Sequence, residues 1–334
     1  MGFGGHLIWS GVIKALEESD KRKPVICKRP HLSDLLQGRL YDGYSSLSRD
    51  PIFTNNPRVQ FNAVISTHKP LLLRILDGLF LILIRPDFVI KRYERFVFGL
   101  SEKRFLKGED RLVHVDFRIH SYAEKQTRKH MIWKTGGHAI QVIARNFKLE
   151  RVKPTCEMTF LPEEERAVAE LIEKEKLGSF IVFDPDTNQD WFGNLRAWSF
   201  EKWQALVERI KASHPDISLV QIGHKKSRLL SNVKDLRGLT SFREAALVIK
   251  RSKLFIGTEG GLMHAAKAVN AKAIILWGGV TLPEFAGYPN SQETVCKYVD
   301  CAPCGQLGWC DNGVKCMESI EVNEVYTKAR EIFL

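Results

Sequence analysis

The 334 residues suffice for two domains of ordinary size; 44% are apolar and 27% charged, which excludes a disordered chain and fits a soluble globular one. The seven cysteines are an odd set, and in the reducing compartment expected here they argue against a disulfide framework. A net charge of +11 favours a polyanionic partner: nucleic acid, an acidic membrane surface or a phosphorylated substrate.

In chain order, MGFGGHLIWSG lacks the basic region and long apolar core of a signal peptide, so a cytoplasmic protein that can lie against the inner membrane is expected. HLIWSGVIKALEES predicts an opening helix. A glycine-rich turn leading into a helix ought to follow a strand, and none precedes it; an edge strand is dispensed with or lies upstream. NAVIST and RLVHVDFRIH are strand candidates. Pro70 to Ile90 is the most apolar stretch, but Arg74, Asp77, Arg85 and Pro86 break it, and its run Leu79–Ile84 is far below the roughly 20 residues of a span. Arg74, Arg85, Lys91, Arg92 and Arg95 flank that run, as an anionic-lipid surface or as the solvated side of a core helix. GGHAIQVIARNF predicts a helix, and the proline-bearing stretch Arg151 to Glu165 marks a boundary between domains 1–155 and 156–334.

The second half alternates strand and helix, which predicts a parallel doubly wound sheet. A helix over Glu163–Leu177, with Ala167, Leu171 and Ile172 on one face, precedes a strand at Phe180–Phe183. Ser199 and Ser241 are N-caps of the next two helices, the second with Glu244 in capping-box position. The strands ISLVQIG, KLFIGTE and AKAIILWGG and the helices GLMHAAKAVN and VNEVYTKAREIFL complete the pattern, the last with Val322, Val325, Ala329 and Ile332 on one face.

The stretch FIGTEGGLMHAAKA carries the chemistry. Gly260 and Gly261 let backbone approach a ligand at the start of a helix, whose first N–H groups and dipole favour an anion such as a diphosphate. Glu259, at the C-terminal edge of a strand, can accept hydrogen bonds from sugar hydroxyls, and His264 can donate to a phosphate oxygen. Alternatively the glycines only make a turn and His264 is a satisfied helix residue.

This stretch resembles the signature of glycosyltransferase family nine, the lipopolysaccharide heptosyltransferases, with Glu259 for its Asp and Gly260 for its Thr or Ser. Arg196-Ala197-Trp198 is similar to the family's Lys-x-Trp, and HLIWSGVIKALEE, DPIFTNNPRV and the cysteine-bearing tail are similar to further family segments. The resemblance implies an α/β GT-B fold of two Rossmann-like doubly wound domains facing across a cleft. It implies an inverting, metal-independent enzyme with no cofactor, moving heptose or a related sugar from a nucleotide sugar to a lipopolysaccharide or other surface-glycan acceptor. The donor-binding set is then Thr187, Asn188, Arg196, Thr258, Glu259, Gly260, Gly261, Leu262 and His264. The family's catalytic Asp falls on His6, with Asp116, His120 and His138 as rival bases and Arg196 holding the leaving diphosphate. GHKKSR stands where an acidic ribose ligand is usual, so the donor's base and sugar can differ from those of ADP-heptose.

Asp184-Pro185-Asp186 has the form of a metal motif from another glycosyltransferase fold, but its doubly wound surroundings speak against that use. Cys301, Cys304, Cys310 and Cys316 are zinc candidates or buried thiols. Two other classes stay open. A nicotinamide-dependent oxidoreductase lacks G-x-G-x-x-G here, since GFGGHL ends in Leu7. A non-catalytic, basic polyanion binder lacks an arginine-rich helix or aromatic stacking motif; the glycosyltransferase reading expects no nucleic-acid partner.

Overall fold

The computed structural model describes residues 3–20, 22–27, 30–41, 49–59, 65–66, 68–106, 110–117, 137–187, 193–305 and 308–333. The chain divides into two compact units, 12–117 and 1–11 with 118–334; helix α1 (Gly4–Asp20) gives its first turns to the second and the rest to the first.

In the 12–117 unit, β1 (Lys23–Cys27) is followed by α2 (Leu32–Gln37), β2 (Leu40–Tyr41), β3 (Ile65–Ser66), α3 (Leu71–Leu83), α4 (Asp87–Phe105) and β4 (Asp110–His114). β1 pairs in parallel with β4, Val25 opposite Leu112, and β2 pairs in parallel with β3. Val25, Cys27, Leu40 and Leu112 form the core here, with Phe98 and Phe105 against them. Burial pushes the Cys27 thiol well up, so it behaves as a small apolar side chain. The strand candidates near 62–67 and 111–120 narrow to Ile65–Ser66 and Asp110–His114, while residues 60–64 and 118–120 lie outside the described ones.

The other unit holds α5 (Ala139–Arg145), α6 (Pro162–Lys174), β5 (Phe180–Asp184), α7 (Phe200–Ser213), β6 (Ser218–Gln221), β7 (Lys234–Asp235) and α8 (Phe242–Arg251). It continues with β8 (Leu254–Thr258), α9 (Gly261–Ala268), β9 (Ala273–Trp277), α10 (Pro283–Ala286), β10 (Glu293–Cys296), α11 (Lys315–Glu318) and α12 (Val322–Phe333). Its six-stranded sheet runs β10-β9-β8-β5-β6-β7, every pair parallel. Such a sheet is covered on both faces, and its strands read as unbroken apolar runs; β8 and β9 are buried at every position. Trp203, Leu206, Val207 and Ile210 of α7 and Val325 and Ala329 of α12 cover one face. α8 packs between α6 and α9, and α9 touches β8 and β9.

Both predicted N-caps form. The Ser199 hydroxyl accepts from Lys202 N at 3.3 Å, and Ser241 and Glu244 make a reciprocal capping box. α6 turns differently from the periodicity reading: Val168 is its buried residue and Ala167 faces out, because the helix begins at Pro162 and sets its inner stripe on 164, 168 and 171. The start of α1 is clasped to the 151–161 segment. Glu157 N donates to the Ser10 hydroxyl at 3.0 Å, and a Cβ on Gly11 would lie 1.8 Å from Thr155 O.

The strand order places a switch point beside β5: the chain leaves it for β6 on one side and returns to β8 on the other. Ligands of open α/β sheets bind at the carboxyl ends flanking such a point. Here those ends are Asp184 and Thr258, in register through Asp184 opposite Gly257.

Candidate functional site

The chain continues past β8 with Glu259, whose N–H donates to Leu276 O at 3.1 Å and so holds the residue against β9. Its Oε2 accepts from Arg196 Nη1 at 2.9 Å, and the same nitrogen reaches Glu259 O at 3.1 Å. Both side chains are mostly buried, 14% and 11% exposed, where an ion pair is less screened than at the surface. Arg196 is held from two sides. Its N–H donates to Gly193 O, closing a 3-10 turn over Gly193–Leu195. Two residues on, Trp198 is sunk in the core with Nε1 donating to Ile320 O at 3.0 Å. Gly278 lets that turn come close, for a Cβ there would sit 2.7 Å from Leu195 O. In the sequence this glycine showed only as the end of the strand AIILWGG; its contact with Leu195 did not.

α9 starts without a side-chain cap and without an acid in its first turn, so its leading N–H groups face outward. Gly260 has φ 164°, ψ −167°, extended backbone open to any residue, and a Cβ would meet only Thr258 O at 4.0 Å. The close approach belongs to Gly261 instead, where a Cβ would lie 3.3 Å from the Phe242 ring and 3.8 Å from Gly4 N. The uncapped start of α9 therefore lies beside the start of α1, another helix with no acid in its first turn. Two dipole ends of the same sign meet there, which costs free energy unless an anion joins them. Phe3 packs on Phe242, the rings tilted by 43° with centroids 4.6 Å apart, and meets His6 edge-on at 5.7 Å. His6 thus stands two residues beyond Gly4 and is 5% exposed.

His264 is 1% exposed, its Nδ1 hydrogen-bonded to the Tyr288 hydroxyl at 2.8 Å. Cys156 Sγ donates to His264 O at 3.2 Å, and the His138 ring lies against that of Tyr288, tilted by 40°, with centroids 5.1 Å apart. Burial pushes His264 down to about 3; burial, then the His264 charge, does the same for His138. Both imidazoles are neutral at physiological pH. Burial likewise raises the Tyr288 phenol. Sequence reasoning missed this group because its members lie far apart in the chain.

The other candidates fall as follows. Thr187 gives its hydroxyl hydrogen to Gly193 O at 2.8 Å, clasping the loop that carries Arg196; Asn188 lies outside the described residues. Thr258 is buried in β8, and Leu262 is half-buried in the first turn of α9. His138 is the N-cap of α5, its Nδ1 accepting from Ile140 N at 3.2 Å. Asp116 follows β4 in the 12–117 unit, and His120 lies outside the described residues. Asp186 accepts from Thr187 N and the Ser227 hydroxyl, and burial together with the Asp186 charge pushes Asp184 up to about 8. Among the described residues no three His, Cys, Asp or Glu side chains gather to hold a metal ion. Three of the four zinc candidates have backbone partners: Cys316 Sγ accepts from Gly279 N at 3.2 Å, Cys310 Sγ from Val314 N at 3.4 Å, and Cys304 Sγ donates to Gly279 O at 3.5 Å.

Residues 102–308, more than half of the chain, match the model of the family described as glycosyltransferase family 9 (heptosyltransferase). The chain belongs to glycosyltransferase family 9. It is a glycosyltransferase, and its α/β fold with parallel sheets is that of the family's GT-B enzymes. No match is found among curated protein sequences. Among solved structures it is similar to a glycosyl transferase family 9 protein from Veillonella parvula, with TM-score 0.62 and 13% identity over 100% of this chain and 94% of that one. It is similar to E. coli ADP-heptose lps heptosyltransferase II, with TM-score 0.60 and 13% identity over 100% and 96%. A third, the dodecameric iron-containing heptosyltransferase TibC in complex with ADP-D-beta-D-heptose, gives TM-score 0.56 and 12% identity over 98% and 74%. At these identities the likeness establishes the fold. The family 9 match covers Arg196, Glu259 and His264; His6 lies before it.

Proposed function

We propose that this glycosyltransferase moves heptose or a related sugar, with inversion and without a metal ion, from a nucleoside-diphosphate sugar to a hydroxyl of a lipopolysaccharide or similar surface-glycan acceptor at the cytoplasmic side of the membrane. The observation that carries it is the Arg196–Glu259 pair set at the β5/β8 switch point beside the uncapped start of α9. The ADP-heptose bound by TibC supports the donor class.

In this reading the diphosphate lies on the N–H groups opening α9 and α1, and Glu259 accepts from sugar hydroxyls with the lone pairs Arg196 leaves to it. The acceptor oxygen attacks the anomeric carbon opposite the diphosphate. The new C–O bond forms as the bond to phosphate breaks, and the diphosphate leaves with the electron pair. His6 takes the acceptor's proton. Arg196 and the helix N–H groups stabilise the charge growing on the leaving oxygen. His264 and Tyr288 hold α9 from beneath.

The test is a panel of nucleotide sugars incubated with the enzyme and a truncated surface-glycan acceptor, read as nucleoside-diphosphate release and as the product's anomeric configuration by NMR. One donor should be consumed, with inverted product and strong loss in Arg196→Ala. Consumption of no donor, or retained configuration, would overturn the reading.

A further inference from the structure

α3 is built inside out. Its inward residue is Asp77, whose carboxylate takes the Ser33 hydroxyl of α2 at 3.0 Å and the Lys69 ammonium at 2.6 Å; Lys69 also pairs with Asp34. The Lys69 side chain is 4% exposed, so this polar knot is sealed. The leucines point the other way: Leu71 is 68%, Leu72 67% and Leu83 81% exposed, with Ile75, Leu76 and Leu79 half-bare between them. A surface helix normally turns its apolar stripe to the core, and one apolar all round is normally enclosed. Patches this large and contiguous mark an interaction site.

α4 continues the surface. Tyr93 ties it to its neighbours, with its ring 5.0 Å from that of Phe80 and its hydroxyl accepting from Leu32 N at 3.1 Å. Outward it shows Phe88, Phe96 and Leu100 interleaved with Lys91, Arg92 and Arg95. Arg74 and Arg85 are exposed as well, whereas the acids described here are turned in: Asp77 sits in the knot, and Glu102 accepts from Leu112 N. Among the described side chains, the fully exposed charges of the hairpin are all cationic, Glu94 and Glu102 being partly buried.

We propose that the α3–α4 hairpin docks on an anionic phospholipid leaflet, its leucine and phenylalanine side chains entering the acyl boundary and its arginines and lysines lying at the headgroups. The charge decides between occupants. An apolar face ringed by cations repels a second copy of itself laid face to face, while lipid phosphates complement it. The inference stands on this hairpin alone and does not depend on the transfer reaction.

Sedimentation of the full-length protein with phosphatidylglycerol-containing and pure phosphatidylcholine vesicles tests it. Binding should favour the anionic vesicles and weaken with salt, and Arg92→Gln/Arg95→Gln should lower the partition coefficient by about thirty-fold. Leu72→Ser/Leu76→Ser/Leu83→Ser should abolish binding with little change in melting temperature, since these side chains are half to four-fifths exposed. Phe88→Trp, read separately, should shift its emission to the blue when anionic vesicles are added. Absence of vesicle binding, equal binding to both lipids, or unfolding of the leucine variant would overturn the proposal. So would a wild-type dimer that the leucine variant dissolves.

Discussion

Arg196 and Glu259 form the hinge of the proposed chemistry, and their mostly buried pairing makes them asymmetric under mutation. Arg196→Ala should lower kcat by about 10²- to 10³-fold, the usual loss when one donor to a developing oxyanion is removed, with Arg196→Lys intermediate because a lysine offers charge without the planar fork. Glu259→Ala should act chiefly on donor binding, since it removes the carboxylate acceptors and breaks the ion pair with Arg196, whose bond to the backbone oxygen of residue 259 remains. Single-turnover kinetics beside a donor titration would separate the two. Buried titratable groups give opposite pH signatures. The unfolded chain protonates His138 and His264 near 6.5, the fold only near 3, so stability present above pH 6.5 falls on acidification through that window, by about 1.4 kcal/mol per pH unit per histidine. Asp184 behaves the other way. Its folded pKa near 8 lies above the ordinary 3.8, so its stabilisation is lost as pH rises between those values. Asp184→Asn should therefore raise the melting temperature at pH 8 and leave it unchanged near pH 4, whereas His264→Gln should flatten the acid limb; thermal melts across pH check both.

At the scale of elements, two glycines with similar sequence surroundings should respond differently. Gly278→Ala forces a Cβ to within 2.7 Å of Leu195 O and 3.3 Å of the Met317 sulfur, so it should cost about 1–3 kcal/mol and displace Arg196. Gly260→Ser meets no such wall and restores a cap to α9; it should be neutral to slightly stabilising. Urea midpoints of the two variants measure the contrast. The elements around the site were legible because each carries its own local signal: the Ser199 and Ser241 caps, the apolar runs of β8 and β9, and the glycines before α9. The 12–117 unit was not. β1 offers only four buried residues, β2 and β3 two residues each, and their partners are set by long-range pairing that no local window contains. α3 defeats periodicity differently, since its inward face is the polar one and the amphipathic rule assigns it backwards. The site itself was half legible. Glu259 and Arg196 follow from motif order, but the meeting of the α1 and α9 starts, the Tyr288 group and the contact of Gly278 with Leu195 come only from tertiary structure.

For the whole molecule, the excess of 50 lysines and arginines over 39 acids had suggested a polyanionic partner, and the two proposals give that charge two separate uses. One is local, where Arg196 and paired helix starts meet a single diphosphate. The other is spread over the exposed hairpin face. Salt should tell them apart: lipid binding should fall steeply with ionic strength, while binding at a mostly buried site should change little. The central claim is that the β5/β8 edge holds a nucleoside diphosphate, and calorimetric titration of nucleoside diphosphates into the wild-type enzyme tests it most directly. One of them should bind, with affinity reduced at least tenfold, about 1.4 kcal/mol, in both Arg196→Ala and Glu259→Ala variants that melt cooperatively. Binding that both variants retain, or no binding of any nucleoside diphosphate to the wild-type protein, would contradict the account.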